Sequence, residues 1–449
     1  MTDPQRGPRR LPGVGAAGLR TALPGLKAAA RRPAASVRNL RRAQEPPTGL
    51  GGTDARPGAR LEDGFAVLRV LRADGADGLP GYRLQGWCGD LSVNCAAGPT
   101  RRAAPAVSLA RLRQDGDGHY PSEVLRGIGL WSDNQYELAH WINRIRVRHG
   151  DDLRLVVWDD TGYDLPWELL HLPENAAPGL AGGPLGALVA VARWTTVRDL
   201  SQGGLPSETG DCRGQVLGYL HQDMADDGHL FTAYARRFHG LMTPFLSDLD
   251  TEADRTGLVY LGCHGTYGDA VPRLTLGDRT WAELNGEPMS VLRRDGSLVC
   301  LNACDSGRFV DNSAQGEQAL RGFAELFLRK GAGGCIVSSG RVGDLEARAM
   351  ARRLVREVAE HPRRPVVRTL RAFRARALEE FGSLAAVPRV RNDDGRVDVV
   401  GQKRVLRLLY AFMFHYYGHP RTALRLTATD ALGTERTERT EGTEGGGCR

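Results

Sequence analysis

The sequence predicts an α/β protein built on a mostly parallel sheet with helices layered against it. Six short apolar runs, at residues 153–158, 188–192, 215–220, 258–261, 298–301 and 334–337, read as buried strands. Stretches of helical character separate most of them, the alternation that right-handed crossovers between parallel strands produce. Composition agrees. Of 449 residues 41% are hydrophobic and 25% charged, as in soluble globular proteins, and no run of ~18 apolar residues suggests a membrane span.

The ends are not expected to fold. Residues 1–60 mix Pro, Gly, Ala and Arg without apolar periodicity, and residues 427–449 drift into Thr-Glu-Arg repeats that finish in Gly445, Gly446 and Gly447. Much of the formal net charge of +7 comes from the arginines and Lys27 between Arg6 and Arg42, so the basic balance belongs to a solvated leader. Nucleic acid is therefore not an expected partner, nor is a membrane. The leader lacks the apolar stretch and small-residue cleavage site of a signal peptide, which gives a cytoplasmic location as the expectation. Eight cysteines, none in a C-x-x-C pair, are too few for a disulfide framework and are expected reduced.

Between the ends, residues 65–71 and 82–93 alternate apolar and polar side chains around a Gly/Asp-rich turn, a β-rich start. Ser122 is placed to cap a helical stretch carrying Leu125, Ile128, Leu138, Trp141, Ile142 and Ile145, broken near Ser132. Residues 198–214 are rich in Gly, Ser, Pro and acidic residues, and divide the chain into a first half at 61–200 and a second at 213–426.

Two of the predicted strands lead into reactive residues: residues 258–261 run on to Gly262-Cys263-His264-Gly265, and residues 298–301 to Asn302-Ala303-Cys304-Asp305-Ser306-Gly307. In open α/β sheets the ligand crevice lies beyond the carboxyl ends of the strands, so neighbouring strands would deliver His264 and Cys304 to one place. A thiol is mostly protonated near neutral pH, and an adjacent imidazole can take its proton. The N–H groups of Gly265 and Cys304 are the candidates for stabilising an oxyanion, since glycine lets the backbone approach closely. A cysteine after a strand is ordinarily a small buried hydrophobe; the conjunction with His264, each followed closely by glycine, favours chemistry.

These residues resemble a known family. His264-Gly265 and the stretch from Asn302 to Gly307 are similar to the HG and NACxSG signatures of CHAT-domain peptidases, relatives of caspases and separases. The similarity extends through residues 322–328 and 330–337, Asp344 with its following helix, residues 416–420, and Leu165-Pro166-Trp167-Glu168-Leu169-Leu170 upstream, covering about residues 153–426. It implies a caspase-like α/β/α sandwich and peptide-bond hydrolysis in protein substrates, with Cys304 attacking, His264 activating, a thioester intermediate and no cofactor. It further implies that residues 61–200 are a divergent pseudo-peptidase-like half, and that the enzyme is a regulated bacterial protease of defence or cell-death type, switched by a protein partner, a modification or the first half itself. In caspase-like folds a connector such as residues 198–214 is also a place for self-cleavage. Trp167 and Glu168 read as a packed turn and a capping or ion-pair residue.

Residues 338–344 depart from the family pattern, which leaves specificity open. Asp305, Asp344 and Asp269 are the candidate acids for choosing a basic residue before the cut, Asp305 first because it adjoins the nucleophile. Asp344 can equally cap the next helix, Asp269 can sit in a solvated turn, and Arg341 would favour an acidic substrate residue. No metal is expected: Cys263, His264 and Cys304 lack a fourth ligand at sensible spacing, and Cys88 and Cys95 have no nearby histidine in sequence. The competing reading is a catalytically silent caspase-like adaptor that binds a protein partner.

Overall fold

The computed structural model describes residues 62–73, 81–95, 108–112, 118–175, 179–196, 211–312 and 320–429, together with two short strands, Thr53–Asp54 and Gly204–Leu205, that pair antiparallel. The basic leader apart from Thr53–Asp54, the tail beyond Thr429 and most of the 198–214 connector lie outside the described residues.

Among the described residues twelve strands form one sheet: β1 (Phe65–Arg72), β2 (Tyr82–Cys88), β3 (Leu91–Cys95), β4 (Arg154–Asp159), β5 (Ala190–Trp194), β6 (Cys212–Leu220), β7 (Arg236–His239), β8 (Thr256–Gly262), β9 (Leu298–Asn302), β10 (Gly334–Ser338), β11 (Phe414–Gly418) and β12 (Leu424–Leu426). Their order is β7-β6-β8-β9-β10-β11-β5-β4-β1-β2-β3, with β12 alongside the start of β6. Pairing is parallel except at β10–β11, β1–β2 and β2–β3. Every residue of β8, β9, β10 and β11 is buried. Strands buried along their whole length are covered on both faces, which is why they read as continuous apolar runs without alternation.

Helices supply that cover. α3 (Met242–Thr251) packs on β6 and β7, α4 (Phe323–Arg329) on β10, and α6 (Val366–Phe381) on β5 and β11, while α5 (Asp344–Glu360) and α7 (Val399–Met413) stack on α6. In the first half, α1 (Pro121–Asp133) and α2 (Tyr136–His149) bury the apolar positions that recur at three- and four-residue steps. The break between them falls at Asn134 and Gln135. Ser122 does not cap α1: the helix begins at Pro121, whose fixed φ suits the first turn, and the Ser122 hydroxyl donates instead to Gln402 at 3.0 Å. The expected strand at 82–93 is a hairpin, turning at Gly89 with φ +56°, a conformation glycine adopts without steric cost. Strand β11 is not expected from the sequence; it inserts between β10, to which it is antiparallel, and β5, to which it is parallel, joining the two halves in one sheet. Among the described residues no helix is long and apolar enough to cross a membrane.

Candidate active site

β8 and β9 lie side by side in parallel register, Gly262 opposite Asn302, and the ladder runs one step further through the Cys263 N–H, which donates to the Asn302 carbonyl at 3.3 Å. His264 and Cys304 each come two residues after those paired ends, so equal lengths of chain carry both to the same edge of the sheet. Beyond them the backbones converge. A Cβ on residue 265 would stand 2.1 Å from the Cys304 carbonyl oxygen, a separation that only glycine permits. The Gly277 N–H donates to the His264 carbonyl at 2.8 Å, and Gly265–Thr266 pairs with Thr275–Leu276, which holds the histidine loop.

The turn after Cys304 is pinned from the other side. The Asp305 N–H donates to the Gly340 carbonyl at 3.0 Å, the Gly307 N–H to the Ser338 carbonyl at 2.7 Å, and the Ser338 N–H to the Ser306 hydroxyl at 3.0 Å. Asp305 itself has φ +55°, an uncommon left-handed conformation in a residue adjoining a candidate nucleophile. The Cys304 thiol is half-buried and donates to the Val342 carbonyl at 3.9 Å. Burial pushes its pKa up, the nearby Asp305 and Asp344 push it further, and Arg341 pulls it down, so the resting sulfur is a thiol.

His264 is exposed, and its Nε2 lies 3.1 Å from Oδ2 of Asp223. Its ring also meets that of His221 edge-on, with centroids 4.8 Å apart. Asp223 sits on a 3₁₀ segment, Gln222–Phe231, that follows β6, and the buried carboxylate of Asp227, four residues on, fixes that segment. Asp227 accepts from the Tyr260 hydroxyl at 2.7 Å, from Asn302 Nδ2 at 3.0 Å and from Arg348 Nε at 2.9 Å, tying the segment to β8, β9 and α5 together. Burial, and then the Asp227 charge, drive the Tyr260 phenol far above its ordinary range, so it donates throughout. The crevice beside Cys304 is lined by Asp223, Met224, Val342, Asp344 and Arg348.

The three acids proposed for specificity separate in space. Asp344 is the first residue of α5 and faces the crevice, with Gly343 preceding the helix. Asp305 is half-buried, its carboxylate 3.7 Å from Arg308, which also donates to Asp164 at 3.1 Å and lies 3.4 Å above the Tyr267 ring. The left-handed backbone at Asp305 accounts for a side chain next to Cys304 that is nevertheless engaged elsewhere. Asp269 is exposed and pairs with Arg273 at 2.8 Å. Cys263 is buried, its thiol pushed up to about 12 by desolvation, and Cys300 likewise. In the first half, Cys88 lies 3.4 Å from His149 Nε2, a companion 61 residues away that local spacing does not reveal.

His221, Asp223 and Asp227 are absent from the sequence-based site. The same rule that found His264 and Cys304 reaches them: β6 is a predicted strand next to β8, and its carboxyl end opens on the same crevice.

Residues 222–382, a range that holds both His264 and Cys304, match the family model described as CHAT domain. Solved structures similar to this chain include the Arg-specific cysteine proteinase gingipain R (RgpB), at 14% identity and TM-score 0.39, with 67% of this chain and 69% of that one covered. The complex of RgpB pro- and mature domains from Porphyromonas gingivalis matches at 13% identity and TM-score 0.37, covering 67% and 70%. The separase–securin complex of Saccharomyces cerevisiae matches at 13% identity and TM-score 0.33, covering 65% of this chain and 17% of that one. No protein with a curated description matches the chain in sequence.

Proposed function

We propose that this chain, which carries a CHAT domain over residues 222–382, is a cysteine endopeptidase acting on protein substrates. The observation that carries this reading is the placement of His264 and Cys304 two residues beyond the paired ends of adjacent parallel strands. In the proposed reaction an imidazole nitrogen of His264 takes the Cys304 proton, the sulfur attacks the scissile carbonyl, and the oxyanion is received by the N–H groups of Gly265 and Cys304. The imidazolium then protonates the leaving amine, and water hydrolyses the thioester. Asp223 is a positioning residue: bonded to Nε2, it holds the tautomer in which Nδ1 is free to accept the thiol proton.

The resting thiol, protonated and turned to the Val342 carbonyl, fits a switched enzyme with a basal rate that rises when a protein partner moves the 338–344 loop and frees the sulfur. Asp344, an exposed acid in the crevice, favours a Lys or Arg residue before the cut. A positional peptide library presented to the wild-type chain and to Cys304→Ala tests both points. Cleavage by the wild type alone, after basic residues, is expected. Equal cleavage by the two proteins would remove the catalytic assignment, and a preference for acidic residues would remove Asp344 from it. Absence of cleavage together with no labelling of Cys304 by a thiol-reactive probe favours the adaptor reading.

A further inference from the structure

His221, Asp223 and His264 each turn one donor atom toward the same point. His221 Nδ1 is 3.3 Å from Asp223 Oδ2, His264 Nε2 is 3.1 Å from that same oxygen, and all three atoms lie within 4.8 Å of one another. Zinc bonds of 2.0–2.2 Å to nitrogen and oxygen place neighbouring ligands of a tetrahedron about 3.3–3.4 Å apart. Two of the three edges, at 3.3 and 3.1 Å, are already close to that length. The third closes by turning rings that are free to move, with His221 30% and His264 60% exposed. Binding would draw the single Nδ1 lone pair of His221 away from the Asp223 N–H, which it accepts at 3.4 Å, and onto the ion beside Asp223 Oδ2.

We infer that His221, Asp223 and His264 form a zinc site, with water completing the tetrahedron, that switches the Cys304 chemistry off. Coordination occupies Nε2 of His264 and leaves its single proton on Nδ1, so the ring no longer accepts the thiol proton. Cys304 is not a ligand in this arrangement. The inhibitory consequence rests on the peptidase reading, whereas the binding does not.

The test is therefore made on binding, with the full chain and with Cys304→Ala, using zinc in competition with a chromophoric chelator and cobalt(II) as a spectroscopic substitute. Expected are one tight zinc equivalent in both proteins, tetrahedral cobalt d–d bands without a thiolate charge-transfer band, and a loss of about tenfold or more in affinity in each of His221→Ala and Asp223→Asn. Retained affinity in His221→Ala overturns the site. So does a thiolate band, which would move the metal to Cys304 or to Cys88 with His149, and Cys88→Ser tells those two apart. Zinc binding as predicted in a chain that cleaves no peptide leaves the site standing and removes the peptidase reading; cleavage without zinc binding does the reverse.

Discussion

A methyl group on Gly265 has nowhere to go, because the atom it would meet at 2.1 Å is the backbone oxygen of Cys304 and no side-chain rotation relieves the contact. Gly265→Ala must push the histidine loop away from Cys304 and carry its N–H out of reach of the proposed oxyanion. Losing one such donor costs about 10²–10³ in kcat, and the expected outcome is a fall of that size in kcat/KM against the best library peptide. A Gly265→Ala protein with wild-type kcat/KM would exclude this N–H from the oxyanion hole. Asp305 teaches the complementary lesson at this scale. Adjacency in sequence nominated it for the substrate pocket, yet a φ of +55° directs it to Arg308, a backbone state no residue name announces in an aspartate.

At the scale of elements, the 3₁₀ segment Gln222–Phe231 behaves as a bracket: Asp227 fastens it and Asp223 reaches from it to His264. The two aspartates should therefore fail differently. Asp227→Ala leaves the buried Tyr260 and Asn302 donors without the acceptor they share with the half-buried Arg348 and should cost about 3 kcal/mol in urea denaturation, with activity lost alongside. Asp223→Ala, at an exposed position, should change stability by less than about 0.5 kcal/mol while still lowering kcat. Equal stability losses would dissolve the distinction between fastening and positioning. This bracket also marks how far the sequence could be read. Strands β4, β6, β8, β9 and β10 were legible because their apolar runs end in polar or glycine-rich segments, and with them His264 and Cys304. The bracket was not, since its residues combine with Tyr260, Asn302 and Arg348 only through the fold. β11 stayed hidden for another reason: α7 passes from Met413 into Phe414 with no Gly or Pro between them, so the aromatic run reads as more helix.

Across the whole molecule the seam between halves is narrow, for β11 and β5 share a single registered pair, Tyr417 with Arg193. A buried ion cluster reinforces it. Glu168 accepts from Arg193 at 3.0 Å and faces Arg374 at 3.8 Å and His415 at 3.6 Å, so β5, α6, β11 and the Trp167–Leu169 turn meet on one carboxylate. Burial alone would raise the Glu168 pKa, but the Arg193 guanidinium more than offsets it and keeps the carboxyl well below its ordinary range. Burial, then Arg193, depresses His415 to about 3, so it is folded in neutral form. Both groups have folded pKa values below their unfolded ones, so the stability they contribute is present above the unfolded values and is lost as pH falls. His415 sets the onset: the unfolded chain takes up its proton below about pH 6.5 while the folded chain does not until near 3. The urea midpoint should accordingly begin to drop below about pH 6.5, and in His415→Gln the onset should move down to the carboxylate range, near pH 4. An unchanged acid limb in His415→Gln would place the titrating group elsewhere. Glu168→Ala, by contrast, leaves two buried guanidiniums uncompensated and should cost about 3–5 kcal/mol already at pH 7. Because the sheet runs unbroken through this seam, that loss should lower the unfolding midpoint of both halves together, read by the tryptophans buried in the first half and by alkylation of Cys300 and Cys335 in the second.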